Sequence, residues 1–334
     1  MDQLPIDTSH PAVREYLALV RLQVLTPLSL LINIACVATC AFVASPSLSS
    51  VSKLYPTALT PNSAVIASYV AALYVGQIGY CVMLVLTRSA ETKRAYVNAI
   101  GLFLPFANLF MALWAIAWVM RWFLLATILQ GLILLLLLFS NVALFIYHPP
   151  EHARPLGIAF VHAPLRFFLV LPFSILFELS LFVALGLSYE PTSPGAPPRD
   201  YSSWHAMAGF GVVLGTNLAS LIVVVSRSDL VWCAAATWIA VSIWSASPKP
   251  APVYITAITF TALHPLAYIF SKLYARCCSP SARRNRNIVL PGDQTAHPGL
   301  YGATSTGAAA TARARQNGGE IETGPTEVDA ENWG

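Results

Sequence analysis

The sequence predicts an all-α membrane protein, an eight-span transmembrane helical bundle followed by a disordered cytosolic C-terminal tail. Three observations predict it. Apolar residues make up 56% of the chain and charged residues only 10%, against about 25% charged in an ordinary soluble domain. Eight stretches are each apolar over roughly the length that a helix needs to cross the hydrocarbon core. The lysines and arginines between those stretches fall on alternate sides.

The expected elements, in order, are a cytosolic segment 1–21, a first half 22–147, a cytosolic interfacial loop 148–166, a second half 167–270 and a tail 271–334. The first half holds the spans Leu22–Ser45, Ser63–Leu86, Val97–Met120 and Phe123–Tyr147. The third and fourth are joined at Arg121–Trp122, a turn short enough to make them an antiparallel hairpin. The second half holds Phe167–Leu187, Ala206–Val225, Leu230–Ala246 and Val253–Phe270, the last two separated by Pro248, Pro250 and Pro252. No cleavable signal peptide is expected, because mixed polar residues lead directly into a full-length first span.

Cationic residues orient the bundle. On the side of the N-terminus lie Arg14, Arg21, Arg88, Lys93, Arg94, Arg154, Arg166 and Arg227, and the proximal tail adds Lys272, Arg276, Arg283, Arg284 and Arg286. The opposite side carries Lys53, Arg121, Arg199 and Lys249. This bias places both termini in the cytosol. Trp118, Trp122, Trp204 and Trp244 all fall at the predicted outer interface, where indole rings prefer to sit. Composition does not choose between the plasma membrane and a late endomembrane or vacuole.

Beyond Phe270 the chain turns rich in Gly, Ala, Thr, Asn and Pro, a composition that cannot bury a core. Its charge is basic up to Arg315 and then only acidic (Glu320, Glu322, Glu327, Asp329, Glu331). Cys277 and Cys278 stand at the membrane surface beside this basic cluster, which suits S-palmitoylation and contact with anionic lipid. The other cysteines, Cys36, Cys40, Cys81 and Cys233, lie in apolar stretches and read as small packing residues.

Two stretches of the first half recur in the second. Arg21, Pro27, Ser29 and Asn33 share their spacing with Arg166, Pro172, Ser174 and Glu178, and Gly76 with Thr87-Arg88-Ser89 matches Gly215 with Ser226-Arg227-Ser228. The echo admits a parallel 4+4 repeat, while apolar helices also align by chance. Ala64, Ser68, Ala72 and Gly76, and likewise Gly211, Gly215 and Ala219, form small-residue stripes that let helices approach closely.

Most spans carry a polar side chain near the middle: Asn33, Gln77, Asn108, Gln130, Asn141, Glu178, Asn217 and His264. At 1.5 Å per residue, Asn33 and Glu178 lie about 18 Å from Arg21 and Arg166, Gln77 about 16 Å from Arg88, and Asn217 about 15 Å from Arg227. Unsatisfied polar groups are costly at such depth, so this layer should face the bundle interior and itself. Each amide alone reads as helix–helix glue. Glu178 is the only acid inside a span, lies too far from Arg166 for neutralisation, and sits at a depth that allows pairing with His264. Intramembrane acids often mark ion or substrate routes.

No enzyme is expected. His148-Pro-Pro-Glu151-His152 has the spelling of an inverted zinc-protease motif, but two internal prolines forbid the helical turn that would join both histidines on a metal. His162 is the further histidine nearby. No cofactor is called for, and a net charge of +4 is too small and scattered for nucleic acid.

The stretch Tyr74–Val119 carries Gln77-Ile-Gly-Tyr80-Cys81, Glu91-Thr-Lys93 and Ala107-Asn108 with Ala112-Leu-Trp114. In these features it resembles a family of fungal multi-pass membrane proteins of unknown function. The resemblance implies a fungal source and a membrane location and brings no activity. Two function classes stay open. One is a transporter-like protein whose small-molecule or ion path follows the polar layer around Glu178. The other is a non-catalytic organiser or receptor-like protein, contacting membrane lipids and binding cytosolic proteins through its loops and tail.

Overall fold

The structure, a computed structural model, describes residues 11–87, 96–147, 158–189 and 204–278. The chain divides into Met1–Ser279 and Pro280–Gly334. The second unit lies outside the described residues, as do the His148–His152 stretch, Glu91 and Lys93, and the connection around Pro194.

Among the described residues every regular element is helical. The helices are α1 (Pro11–Ala38), α2 (Leu48–Leu54), α3 (Ser63–Leu86), α4 (Phe103–Val119), α5 (Phe123–Tyr147), α6 (Ala163–Leu171), α7 (Phe177–Ala184), α8 (Trp204–Arg227), α9 (Leu230–Trp244) and α10 (Ala251–Cys278). Six segments are long and apolar enough to cross a membrane: Tyr16–Val43, Ser63–Leu86, Phe123–Leu144, Ala159–Ala184, Trp204–Arg227 and Ala251–Cys277. Helices α4 and α9 are apolar but shorter.

The side chains are arranged inside out relative to a soluble helix. On α3 the buried positions are Tyr69, Leu73, Gln77, Tyr80 and Leu84. Val75, Ile78, Val82 and Val85 are exposed between them. A helix that turns its amide and phenol groups inward and its aliphatic groups outward is built for an apolar surround. On α1 the same division separates buried Leu22, Thr26, Ser29 and Asn33 from exposed Val24, Leu28 and Leu31.

Several boundaries differ from the sequence expectation. α1 begins at Pro11, inside the segment expected to precede the bundle, because proline is favoured at a helix start and the helix continues past its apolar run. Helix also replaces the last part of the expected 148–166 loop, with a π-helical turn at Ile158–His162 leading into α6. α10 continues to Cys278, past the expected end of the last span and into the segment assigned to the tail. At the other extreme, Gly101 adopts φ +46°, a conformation natural to glycine, and separates the π-helical turn Tyr96–Ile100 from α4.

The segment Ala159–Ala184 is the central helix, with 61% of its apolar window buried against 28–39% for the other five. It packs on α3, α5 and α9. Pro172 lacks the N–H that an α-helix needs, and the segment widens into a π-helical turn over Pro172–Leu176 between α6 and α7. α4 lies between α1 and α5, and α10 lies along α8 and α9. Close approach is set by small residues: a Cβ on Gly209 would stand 2.5 Å from the Ala58 Cβ, and one on Gly79 would overlap the Phe160 ring.

Candidate functional site: an apolar cavity with an amide floor

A cavity of about 530 Å³ opens between α1, α2, α3, α4 and the central helix. Its walls are Ile34, Val37, Ala38 and Phe42 from α1 and its terminal π turn, Leu48 from α2, and Ala67, Val70 and Ala71 from α3. Met111, Trp114 and Trp118 of α4, with Leu176 and Leu179, close the inner side. Phe42 is 86% exposed, so the cavity opens to the exterior of the bundle there. The size falls within the range of small-molecule sites.

The polar atoms of the lining are mostly engaged. The Trp114 indole N–H donates to Ser180 Oγ at 3.2 Å, and Ser180 Oγ donates to the Leu176 carbonyl at 2.8 Å. Ser52 Oγ donates to the Leu48 carbonyl. Tyr74 lines the cavity with its ring and donates its hydroxyl to Asn33 Oδ1 at 3.3 Å. What remains for an occupant is aromatic and aliphatic surface.

Behind Tyr74 lies a chain of amides. Asn33 Nδ2 donates to Asn108 Oδ1 at 2.8 Å, and Asn108 Nδ2 donates to Gln77 Oε1 at 2.8 Å. All three residues are at most 1% exposed. The chain runs Tyr74, Asn33, Asn108, Gln77, each member polarising the next. It stops at Gln77 Nε2, which has no hydrogen-bond partner. Gln130 reaches the cavity wall from outside, its Nε2 donating to Met111 Sδ at 3.6 Å, while its Oε1 has no partner.

The other members of the expected layer stand elsewhere. Asn141 Nδ2 donates to the Leu137 carbonyl of its own helix and to the Leu165 carbonyl. Asn217 Nδ2 donates to the Val213 carbonyl one turn back. His264 Nε2 lies 3.3 Å from the Asn217 carbonyl, its pairing with α8, and its Nδ1 has no partner. Glu178 is the second residue of α7, in its first turn after the π turn, and its Oε2 is buried without a hydrogen-bond partner. Leu176 and Leu179 line the cavity, but Glu178 does not. The structure thus brings Asn33, Gln77 and Asn108 together, joins Asn217 to His264, and leaves Gln130, Asn141 and Glu178 apart from both.

Sequence reasoning missed Asp229. Its Oδ1 accepts from the backbone N–H groups of Val231 and Trp232 and caps α9. Its Oδ2 lies 2.6 Å from Arg166 Nη1, in a pair whose side chains are 12% and 5% exposed. An aspartate directly before an apolar run is the signal that could have found the cap. Its partner across the fold had no local signal. At the opposite end Lys249 Nζ donates to the carbonyls of Ala58 and Thr60. Among the described residues no group of three or more His, Cys, Asp or Glu side chains is placed to hold a metal.

The profile of the TSPO-like protein family matches residues 22–188, half of the chain. The match spans α1 to α7 and therefore every wall of the cavity and the whole amide chain. No curated protein and no solved structure matches the chain. It is a multi-pass membrane protein, and it belongs to the TSPO-like protein family.

Proposed function

We propose that this protein is a transporter-like, non-catalytic membrane protein of eight spans that admits a small, largely apolar molecule into the cavity between α1, α3 and α4. One observation carries the reading: an open cavity of about 530 Å³ whose lining polar groups are largely bonded to the protein, leaving apolar walls to meet the occupant. Entry is from the side, past exposed Phe42, so an occupant dissolved in the bilayer need not cross water. The Tyr74–amide chain gives the inner wall a fixed polar backing, and Gln77 Nε2 and Gln130 Oε1 are a spare donor and a spare acceptor behind it.

The count of eight takes α4 and α9 as spans. Their 17 and 15 residues cover about 25 Å and 22 Å at 1.5 Å per residue, short of a hydrocarbon core of about 30 Å. The turns that flank them supply the remainder, and the alternation of basic residues requires both crossings. In this arrangement both termini are cytosolic and the cavity lies toward the outer leaflet. Membrane lipids surround the bundle, and cytosolic proteins are the partners proposed for the segment beyond Cys278.

Native mass spectrometry of the chain purified in detergent tests the reading. The expected spectrum shows one retained apolar adduct per chain, lost in Ala71→Trp, which fills the cavity from α3. A folded wild-type chain without any adduct, or an adduct that Ala71→Trp leaves in place, would overturn it.

A further inference from the structure

The C-terminal half of α10 carries a feature that the cavity does not use. Leu266, Phe270, Leu273 and Tyr274 are 61%, 69%, 54% and 63% exposed. At 100° per residue these four positions fall within one sector about 100° wide, and Cys277 falls inside the same sector. Cys277 is an exposed free thiol. Lys272 and Arg276, one turn apart, share a different face, and Lys272 Nζ sits 5.7 Å from the Tyr268 ring centroid. The register puts position 278 about 40° beyond the edge of the apolar sector.

The length of the helix fixes the depth. α10 has 28 residues and extends about 42 Å, roughly 12 Å more than the hydrocarbon core. No charged residue occurs between Lys249 and Lys272, so the excess lies at the C-terminal end, where Lys272 and Arg276 mark the headgroup level. By this count Cys277 falls at the membrane boundary, in the same sector of the helix as Phe270 and Leu273, with Lys272 and Arg276 nearby. A chain attached to its sulfur would enter the leaflet along Leu273 and Phe270, with no need to cross the polar face.

We infer that Cys277 is a site of S-acylation by a long-chain fatty acyl group. The Cys277 thiolate attacks the carbonyl carbon of a long-chain acyl thioester, the Sγ–acyl bond forms, and the donor's carbon–sulfur bond breaks. The donor leaves as a thiolate and takes up the proton that Cys277 released, so the exchange is redox-neutral. The acyl chain adds a second anchor to the end of the last helix, where the basic residues already attract anionic headgroups. This inference is independent of the cavity.

The test uses the full chain expressed in eukaryotic cells fed alkyne-tagged palmitate. The wild type should carry label that neutral hydroxylamine releases, as a thioester requires. Cys277→Ser should lose at least nine-tenths of it, while Cys278→Ser and Cys36→Ser keep it. Monodisperse elution of Cys277→Ser from a sizing column separates loss of the site from loss of the fold. Absence of hydroxylamine-sensitive label on the wild type, or label that persists in a folded Cys277→Ser and disappears in Cys278→Ser, would overturn the assignment.

Discussion

Asn108 is the residue on which the buried amides depend. It accepts from Asn33 and donates to Gln77, so Asn108→Leu leaves Asn33 Nδ2 and Gln77 Oε1 without their partner. An unsatisfied buried polar group costs about 1–3 kcal/mol. Asn108→Leu should therefore lower the melting temperature in detergent by several degrees. Gln130→Leu gives up only a contact to sulfur and removes an acceptor that was already unpaired, so it should be neutral or mildly stabilising. Equal losses in the two variants would contradict the assignment. Glu178 allows a sharper contrast, since its Oε2 is also buried and unpaired. Glu178→Leu should match or exceed the wild type in thermal stability, whereas a structural carboxyl would show a clear loss. Stability gained together with function lost is the mark of a group retained for function. On the sequence expectation of an ion path around Glu178, with the carboxyl as its titrating group, Glu178→Gln should fold and traffic normally yet fail to complement a deletion strain across external pH. At this scale the sequence was legible in part. Depth along a helix follows from counting, and Asn33 and Glu178 count to the same depth. Azimuth and helix order do not follow from counting, and these place Asn33 on Asn108 but Glu178 on neither Asn33 nor His264.

Among the elements, the turn between α8 and α9 joins three parts of the fold. Asp229 caps α9 through Oδ1 and binds Arg166 of α6 through Oδ2, while Ser271 of α10 bonds Ser228 and the Val225 carbonyl. Breaking one partner of a buried ion pair costs roughly 3–5 kcal/mol, and a lost cap about 1 kcal/mol. Arg166→Met alone should thus destabilise strongly, since it strands the aspartate. Asp229→Asn in the same chain keeps the capping oxygen and removes the stranded charge, and should recover most of the loss in a thermal melt. Additive losses in the double variant would show that the pair is not coupled. The apolar helices were visible in hydropathy because a lipid-facing helix is apolar on its outer side and mostly so within. Their ends were not, since α1 and α10 continue as helix beyond the apolar run, where hydropathy falls but hydrogen bonding does not. The π turn at Pro172 was hidden for a similar reason: a proline inside an apolar helix announces a disturbance without specifying its geometry.

For the whole molecule, the family match ends after the fourth long apolar segment and leaves α8, α9 and α10 outside it. The packing of the two expected halves agrees at one place and differs at another. α4 pairs with α5 as α9 pairs with α10, but α8 lies along α10 whereas α3 makes no comparable contact with α5. The three added helices are held to the matched region by Arg166–Asp229 at one end and by Lys249 on Ala58 and Thr60 at the other. The proposed orientation predicts that a reporter fused at Gly334 is cytosolic and one inserted near Pro194 is external. A protected C-terminus would reverse the placing of the cavity in the outer leaflet. The cavity itself is tested most directly by photolabelling the chain in lipid bilayers with a small apolar diazirine, followed by peptide mapping. The account predicts saturable adducts on Tyr74, Met111 and Trp114, which face the cavity, and their loss in Ala71→Trp. Adducts confined to lipid-facing positions such as Ile222 and Phe270, without saturation, would contradict it.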